Sequence, residues 1–320
     1  MQMAVAPNSL DDLFLPDNWE DSQIDPTNTS FAHYTTAEAA MKIIMGEEIW
    51  LRNVRVMNDY SEIVYGLDLM ARAWHSPAGK AFQAAANSCF PGVIDILNPT
   101  LGIAQGTWPH LDHHVACFSI HDPAEDRRGR LSMWRAYGNV ALVFRLSEAT
   151  LDANTPNPLG VHSWKVDYPD STSAEAILQG ATDTINQHRG FVLGRGQQEF
   201  MGAVTQIVYT TALTTKHPGF AEEEEVRVYF RPSEKPDSTL VNAGRVECIK
   251  GIPQMIYPLS LKGNPVNGLV GIDLQSILDR IIIGPTPDSK VMSDTFIKLL
   301  DSIGVTKAPQ KVIVSNIPLR

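Results

Sequence analysis

The sequence predicts an α+β fold of mixed or antiparallel sheets with flanking helices. Three observations predict it. Helical and strand patterns are interspersed without a regular βαβ rhythm, the segment Glu225–Phe230 alternates with period two, and no repeat or clear linker divides the chain. Apolar residues make up 43% of the 320 and charged residues 19%, a balance that fills a core and excludes wholesale disorder. Residues 1–30, rich in Pro, Asn, Asp and Ser, read as an irregular N-terminal extension that packs locally, and 31–320 as one domain.

The elements follow in order. Phe31–Tyr34 reads as a short strand. Thr35 or Thr36 then caps a helix striped by Ala39, Ala40, Ile43 and Ile44. Ile49–Leu51 with Val54 reads as a strand, and Asn58-Asp59 opens a helix carrying Ile63, Leu67, Met70 and Ala71 at helical spacing. Residues 77–108 read as helical with Pro and Gly breaks. The apolar strand His114–Ile120 precedes a polar loop, Asp122–Arg130, of mixed charge. Ser132 can cap a short helix, Met133–Tyr137, and Gly138-Asn139 turns the chain into the continuous apolar strand Val140–Phe144. Helices are expected at 172–188, 197–213 and 294–303. Strands are expected at 225–230, at Ile281–Ile283, at Lys311–Val314 and in short pieces between Val246 and Leu261.

Charge and missing motifs narrow the chemistry. Lys and Arg number 26 against 36 Asp and Glu, for a net charge of −10. Such a chain lacks the broad attraction to phosphate of a constitutive nucleic-acid binder. Cys89, Cys117 and Cys248 are odd in number and scattered, so no disulfide framework or zinc knuckle is legible. There is no basic start followed by an apolar run and no long apolar window, so we expect a reduced, cytoplasmic protein with no membrane partner. Gly194-Arg195-Gly196 lacks the third glycine of a dinucleotide fingerprint. P-loop, HExxH and GxSxG patterns are absent as well. His110, Asp112, His113, His114 and His121 crowd one stretch. The adjacent His113 and His114 would point oppositely on a strand, and no second cluster completes a ligand set, so no metal is expected.

The acidic run is more informative. Along a strand over 223–230, Glu223, Glu225, Arg227 and Tyr229 would share one face, which would point into a cleft or solvent. Val226, Val228 and Phe230 would share the core face. Glu225 is the catalytic candidate, Glu223 its helper, and Arg227 can orient Glu225 or bind a phosphate oxygen.

Several ordered blocks carry a resemblance. They are His33-Tyr34-Thr35, Asn58-Asp59-Tyr60-Ser61-Glu62, Cys117-Phe118-Ser119 with Met133-Trp134-Arg135-Ala136-Tyr137-Gly138, and Phe220 with Glu223-Glu224-Glu225-Val226-Arg227. Ile281–Pro285 and Ile317–Arg320 also fit. Over roughly residues 31–320 the set resembles a widespread bacterial family known only as a domain of unknown function. More loosely, the chain is similar to the ADP-ribosyltransferase superfamily, in its histidine–tyrosine–glutamate branch. That branch has a His on the first core strand, an aromatic strand followed by a short helix with Ser and Tyr, and a Glu on a later strand. The sequence departs from it in showing Cys117-Phe118 where a polymerase-like member shows Tyr-Phe.

That resemblance implies an ADP-ribosyltransferase-like fold with split mixed or antiparallel sheets. It implies NAD as substrate, and mono-ADP-ribosylation of a macromolecular acceptor, protein or nucleic acid. A role as a bacterial toxin or phage-defence effector, with an antitoxin or regulatory partner, goes with it. Carried onto this sequence, the catalytic residues are Glu225, Glu223 and His33. The NAD-binding residues are His33, Tyr34, Thr35, Phe118, Ser119, Ser132, Tyr137 and Arg227, with Tyr137 stacking on nicotinamide and Trp134 in the core. A non-catalytic nucleotide-binding or interaction domain and an NAD glycohydrolase are the alternatives. The residue types suit the chemistry. Cleaving the nicotinamide–ribose bond builds positive charge on the ribose, which a carboxylate stabilises.

Overall fold

The computed structural model describes residues 10–14, 28–56, 60–101, 112–146, 158–169, 173–264 and 271–318. Asn58, Asp59 and His110, singled out above, lie outside the described residues, as do Leu319 and Arg320. Where the sequence suggests one domain, the chain gathers into two compact units. One comprises residues 1–23, 55–111 and 166–221, the other 24–54, 112–165 and 222–320. Their segments interleave along the chain, so no linker marks a boundary.

The first unit is helical. Its principal helices are Tyr60–His75, Pro77–Cys89, Val93–Leu101, Ser173–Gln187 and Gln197–Thr214. The apolar stripes converge on a core containing Met70, Trp74, Phe82, Leu97, Phe200 and Val204. Ser76 caps the second helix through its side chain, and Pro77 occupies the first turn, where its missing N–H is harmless. A Cβ at Gly66 would come within 2.7 Å of the Ala212 carbonyl, so glycine is what lets two of these helices approach closely. The N-terminal stretch does more than pack locally. Leu10 and Phe14, on the short helix Leu10–Phe14, enter this core, where Phe14 meets Phe200 edge-on at 5.9 Å.

The second unit holds the sheet. Its strands are β1 Ser30–Thr35, β2 Glu48–Asn53, β3 His114–His121, β4 Val140–Arg145, β5 Val161–Lys165, β6 Glu225–Phe230, β7 Arg245–Ile249, β8 Ile252–Ser260, β9 Leu278–Ile283 and β10 Val312–Val314. Among these strands the pairings are antiparallel except that of β9 with β10. The class is therefore α+β with a mixed, mostly antiparallel sheet flanked by helices.

β3 is the hub. Along one edge it pairs with β6, which continues to β5. The other edge is shared: β2 takes His114 and Val115, and β1 takes Ser119 to His121. The sheet forks there, with β4, β9 and β10 following β1 on one arm, and β8 and β7 following β2 on the other. One face of the sheet packs Ile49, Leu51, Leu142, Phe144, Phe230 and Ile281 against Ala40 and Ile44 of the helix Ala37–Gly46 and Phe296 and Leu300 of the helix Ser289–Ser302. Thr36 rather than Thr35 caps the first of these, accepting from the Ala39 amide. On the opposite face Tyr34, Ala141, Val143 and Ile282 are covered by Met133 and Trp134 of the helix Leu131–Tyr137. That helix ends at Gly138, whose φ of 139° and close approach to the Thr35 carbonyl exclude a side chain.

Burial makes this unit sensitive to acid. His113 is buried, and its pKa falls from 6.5 to about 3, first because burial penalises the imidazolium and then because Arg231 and His114 repel it. The folded chain keeps it neutral while the unfolded chain protonates it near 6.5. Its contribution to stability is therefore lost progressively as pH falls from about 6.5 towards 3, on the order of 4–5 kcal/mol in full. His114 and His121 are lowered by burial too. In urea denaturation at pH 7, 6, 5 and 4, His113→Gln should show a clearly shallower loss of stability than wild type. Parallel slopes would contradict this.

Candidate functional site

The centre of the site follows from register. Ser119 on β3 faces Ala32 of β1 on one side and Glu225 of β6 on the other, and Cys117 faces Arg227. β5 places Trp164 opposite Arg227 and His162 opposite Tyr229. Strand alternation therefore gathers Ser119, Cys117, Glu225, Arg227, Tyr229 and Trp164 on one face of the sheet. This is the face predicted for Glu225, Arg227 and Tyr229. Its environment differs from the expectation of an open cleft or solvent, because Glu225 is 2% exposed and Arg227 3%.

The two charges hold each other. Arg227 donates from Nε to Glu225 Oε1 at 2.7 Å and from a terminal nitrogen to Oε2 at 3.3 Å. A fork-to-fork pair of this kind fixes the plane of the carboxylate as well as its charge. Ser119, 1% exposed, has a hydroxyl with no hydrogen-bond partner. A buried hydroxyl in that state is an unsatisfied polar group beside the carboxylate strand, of the kind that a ligand or water completes. Further along the same face, Trp164 stacks on Tyr229 with ring centroids 3.8 Å apart, and His162 stacks on Tyr229 at 5.3 Å. Arg52 on β2 donates to Gln254 at 3.0 Å, and burial lowers its guanidinium pKa while neighbouring Cys117 opposes the shift.

The other predicted residues are distributed differently. His33 does not join Glu225. It follows Ala32, which shares a face with Ser119, so it lies on the reverse face, its ring 5.4 Å from Phe118. Its Nδ1 lies 2.8 Å from the Cys117 carbonyl, and because a carbonyl only accepts, Nδ1 carries the proton. That carbonyl lies between the segments of β3 paired with β2 and with β1, so His33 bridges the fork. Burial lowers its pKa, and the bond to Cys117 opposes the shift. Phe118 is on the same reverse face, against Phe144. His33 and Phe118 therefore lie on the face of the sheet opposite Glu225.

Glu223 is not on the strand either. It ends the 3-10 turn Pro218–Glu223, and Glu224 adopts left-handed backbone with φ of 43°, which breaks the alternation before β6 begins. Tyr34 lies on the Glu225 face but is buried, with its hydroxyl accepting from the Arg130 amide at 3.1 Å. Burial, tempered by that bond, pushes its pKa up to about 12. Thr35 ends β1. Ser132 is within the first turn of the helix Leu131–Tyr137, which begins at Arg130 without a side-chain cap; the Ser132 hydroxyl has no partner. Tyr137 packs against the apolar cluster that contains Trp134, whose indole N–H donates to the Arg128 carbonyl. The aromatic pair next to Arg227 is instead Trp164 with Tyr229. Of these, Trp164 escapes the sequence reading because Val161–Lys165 is polar and short; its alternation of Val161, Ser163 and Lys165 with His162 and Trp164 is the available signal.

Among the described residues no group of three or more His, Cys, Asp or Glu is placed to hold a metal ion. No helix among them is long and apolar enough to cross a membrane.

A family described as a protein of unknown function (DUF2971) matches residues 133–228, a stretch that includes Trp164, Glu225 and Arg227. No curated protein and no solved structure matches the chain.

Proposed function

We propose that the protein cleaves the nicotinamide–ribose bond of NAD and transfers ADP-ribose to a macromolecular acceptor. The observation that carries this reading is the buried Glu225 carboxylate, held by Arg227 and facing the unpartnered Ser119 hydroxyl on the neighbouring strand. A fixed negative charge in a water-poor setting is what a developing ribosyl cation needs. The forked, mostly antiparallel sheet supports the reading, since the aromatic strand β3, the short helix Leu131–Tyr137 and a glutamate on the later strand β6 have the order the resemblance implies. In this reading Glu225 stabilises the ribose, Ser119 hydrogen-bonds a ribose hydroxyl, and Arg227 orients the carboxylate. His33 and Phe118 keep the fork in shape rather than touch NAD.

Purified protein is incubated with NAD labelled in the adenylate moiety, with and without bacterial lysate, and nicotinamide is quantified. Release together with label retained on a protease-sensitive or a nuclease-sensitive fraction supports transfer and identifies the acceptor class. Release with label only in free ADP-ribose indicates a glycohydrolase. No release in either condition overturns the reading and leaves a non-catalytic nucleotide-binding domain.

A further inference from the structure

We propose that Arg130 is a positioning residue for Glu225, a role that rests on the catalytic reading of that carboxylate. The β3–β6 ladder runs up to the Ser119–Glu225 pair, and just beyond it the Ile120 amide donates to the Glu224 carbonyl at 2.9 Å. The next acceptors of both segments are taken up by one side chain. Arg130 donates from one terminal nitrogen to the Glu223 carbonyl at 2.7 Å and from the other to the Ile120 carbonyl at 2.6 Å. The guanidinium therefore stands where another rung would be.

The same group also bonds the Glu224 carboxylate, and its Nε donates to both oxygens of Glu125, at 2.9 and 3.1 Å. Its own backbone is tied to β1, through the Tyr34 hydroxyl. Five donors in a rigid planar fork suit this task, and a lysine ammonium cannot reproduce it. The turn being held needs holding. Glu224 is a non-glycine residue in left-handed backbone, immediately before Glu225. Released, the turn can relax and let the start of β6 shift, taking the carboxylate with it. Catalytic groups tolerate little of this, since a displacement of about 1 Å can cost roughly 100-fold in rate.

The test uses the full chain with Arg130→Gln, Arg130→Lys and a core-cavity control, Leu300→Ala, which sets how much rate is lost to destabilisation alone. Nicotinamide release from NAD gives kcat and KM, and hydrogen exchange is followed at the Ile120 amide and over residues 223–227. Arg130→Gln should lower kcat roughly 10- to 100-fold with KM within about threefold, and speed exchange at Ile120 and 223–227. Arg130→Lys should recover part of both, and Leu300→Ala should leave both close to wild type. Unchanged exchange in Arg130→Gln overturns the proposal whatever the activity, and so does wild-type kcat. If Arg130→Gln does not fold, Arg130→Lys decides, with an intermediate loss expected and wild-type behaviour overturning the proposal. An inactive wild type rejects the NAD reading separately, and exchange at Ile120 then decides alone whether Arg130 holds the turn.

Discussion

Replacing Glu225 by Gln should lower the rate of nicotinamide release by roughly 100-fold or more while NAD affinity changes little. That is the scale on which one preorganised electrostatic group acts. The substitution keeps the shape, removes the charge and replaces one of the two acceptor oxygens that Arg227 bonds by an amide donor. If the charge is used as the bond breaks, the loss falls on kcat rather than on binding. The substitution also removes the counter-charge of the buried Arg227, a cost of about 3–5 kcal/mol, while the apolar layer that Val228 and Phe230 build on the opposite face is untouched. Circular dichroism, an NAD titration and nicotinamide release on the same preparations separate these effects. Glu223→Gln is the comparison, and it should lose far less, because Glu223 lies in the turn and its carbonyl is what Arg130 binds. Equal rates in wild type and both variants would remove the acidic strand from the mechanism.

Arg227→Ala should have the largest effect on stability. It removes the guanidinium from a carboxylate that is almost fully buried, and breaking one side of a buried ion pair costs about 3–5 kcal/mol. Glu225 then gains by taking up a proton, so its pKa rises. The sign of the pH effect follows. Losing the favourable charge disfavours the carboxylate form, so any protonated, inactive fraction is larger in the variant and shrinks as the pH is raised. Release by Arg227→Ala should therefore climb between pH 6 and 9 more steeply than release by wild type. Arg227→Lys keeps a charge but not the fork, and should fall between the two. Urea denaturation and a pH–rate series make the check. A stability loss under about 1 kcal/mol with a flat profile would mean that the pair does not hold the carboxylate.

Much of this architecture is legible as pattern. Val140–Phe144 and Ile281–Ile283 are continuous apolar runs because both faces of those strands are covered, and they read as buried strands at once. The alternation from Glu225 to Phe230 puts Glu225, Arg227 and Tyr229 on a common face. What does not read is what depends on pairs distant in sequence. His33 lies on the face opposite Glu225 because register with β3, and not its own strand, decides which side it takes. Glu223 reads as part of the strand because a left-handed Glu224 leaves no mark in a run of four glutamates. Arg130 sits in a loop of mixed charge, where nothing in the spacing distinguishes a clamp from a solvated residue. The division into two units is illegible for a similar reason, since each is assembled from separated segments whose junctions fall within ordinary loops and turns.

In the proposed mechanism the ribose of NAD sits against Glu225 and Ser119 on one face of the sheet. A crystal structure of Glu225→Gln soaked or co-crystallised with NAD tests it most directly, because the slowed variant keeps the substrate intact. Ribose hydroxyls are expected within about 2.6–3.2 Å of the substituted amide side chain and of the Ser119 hydroxyl, with His33 still bonded to the Cys117 carbonyl on the reverse face. NAD bound on the His33 face, or bound with its ribose away from both residues, would contradict it.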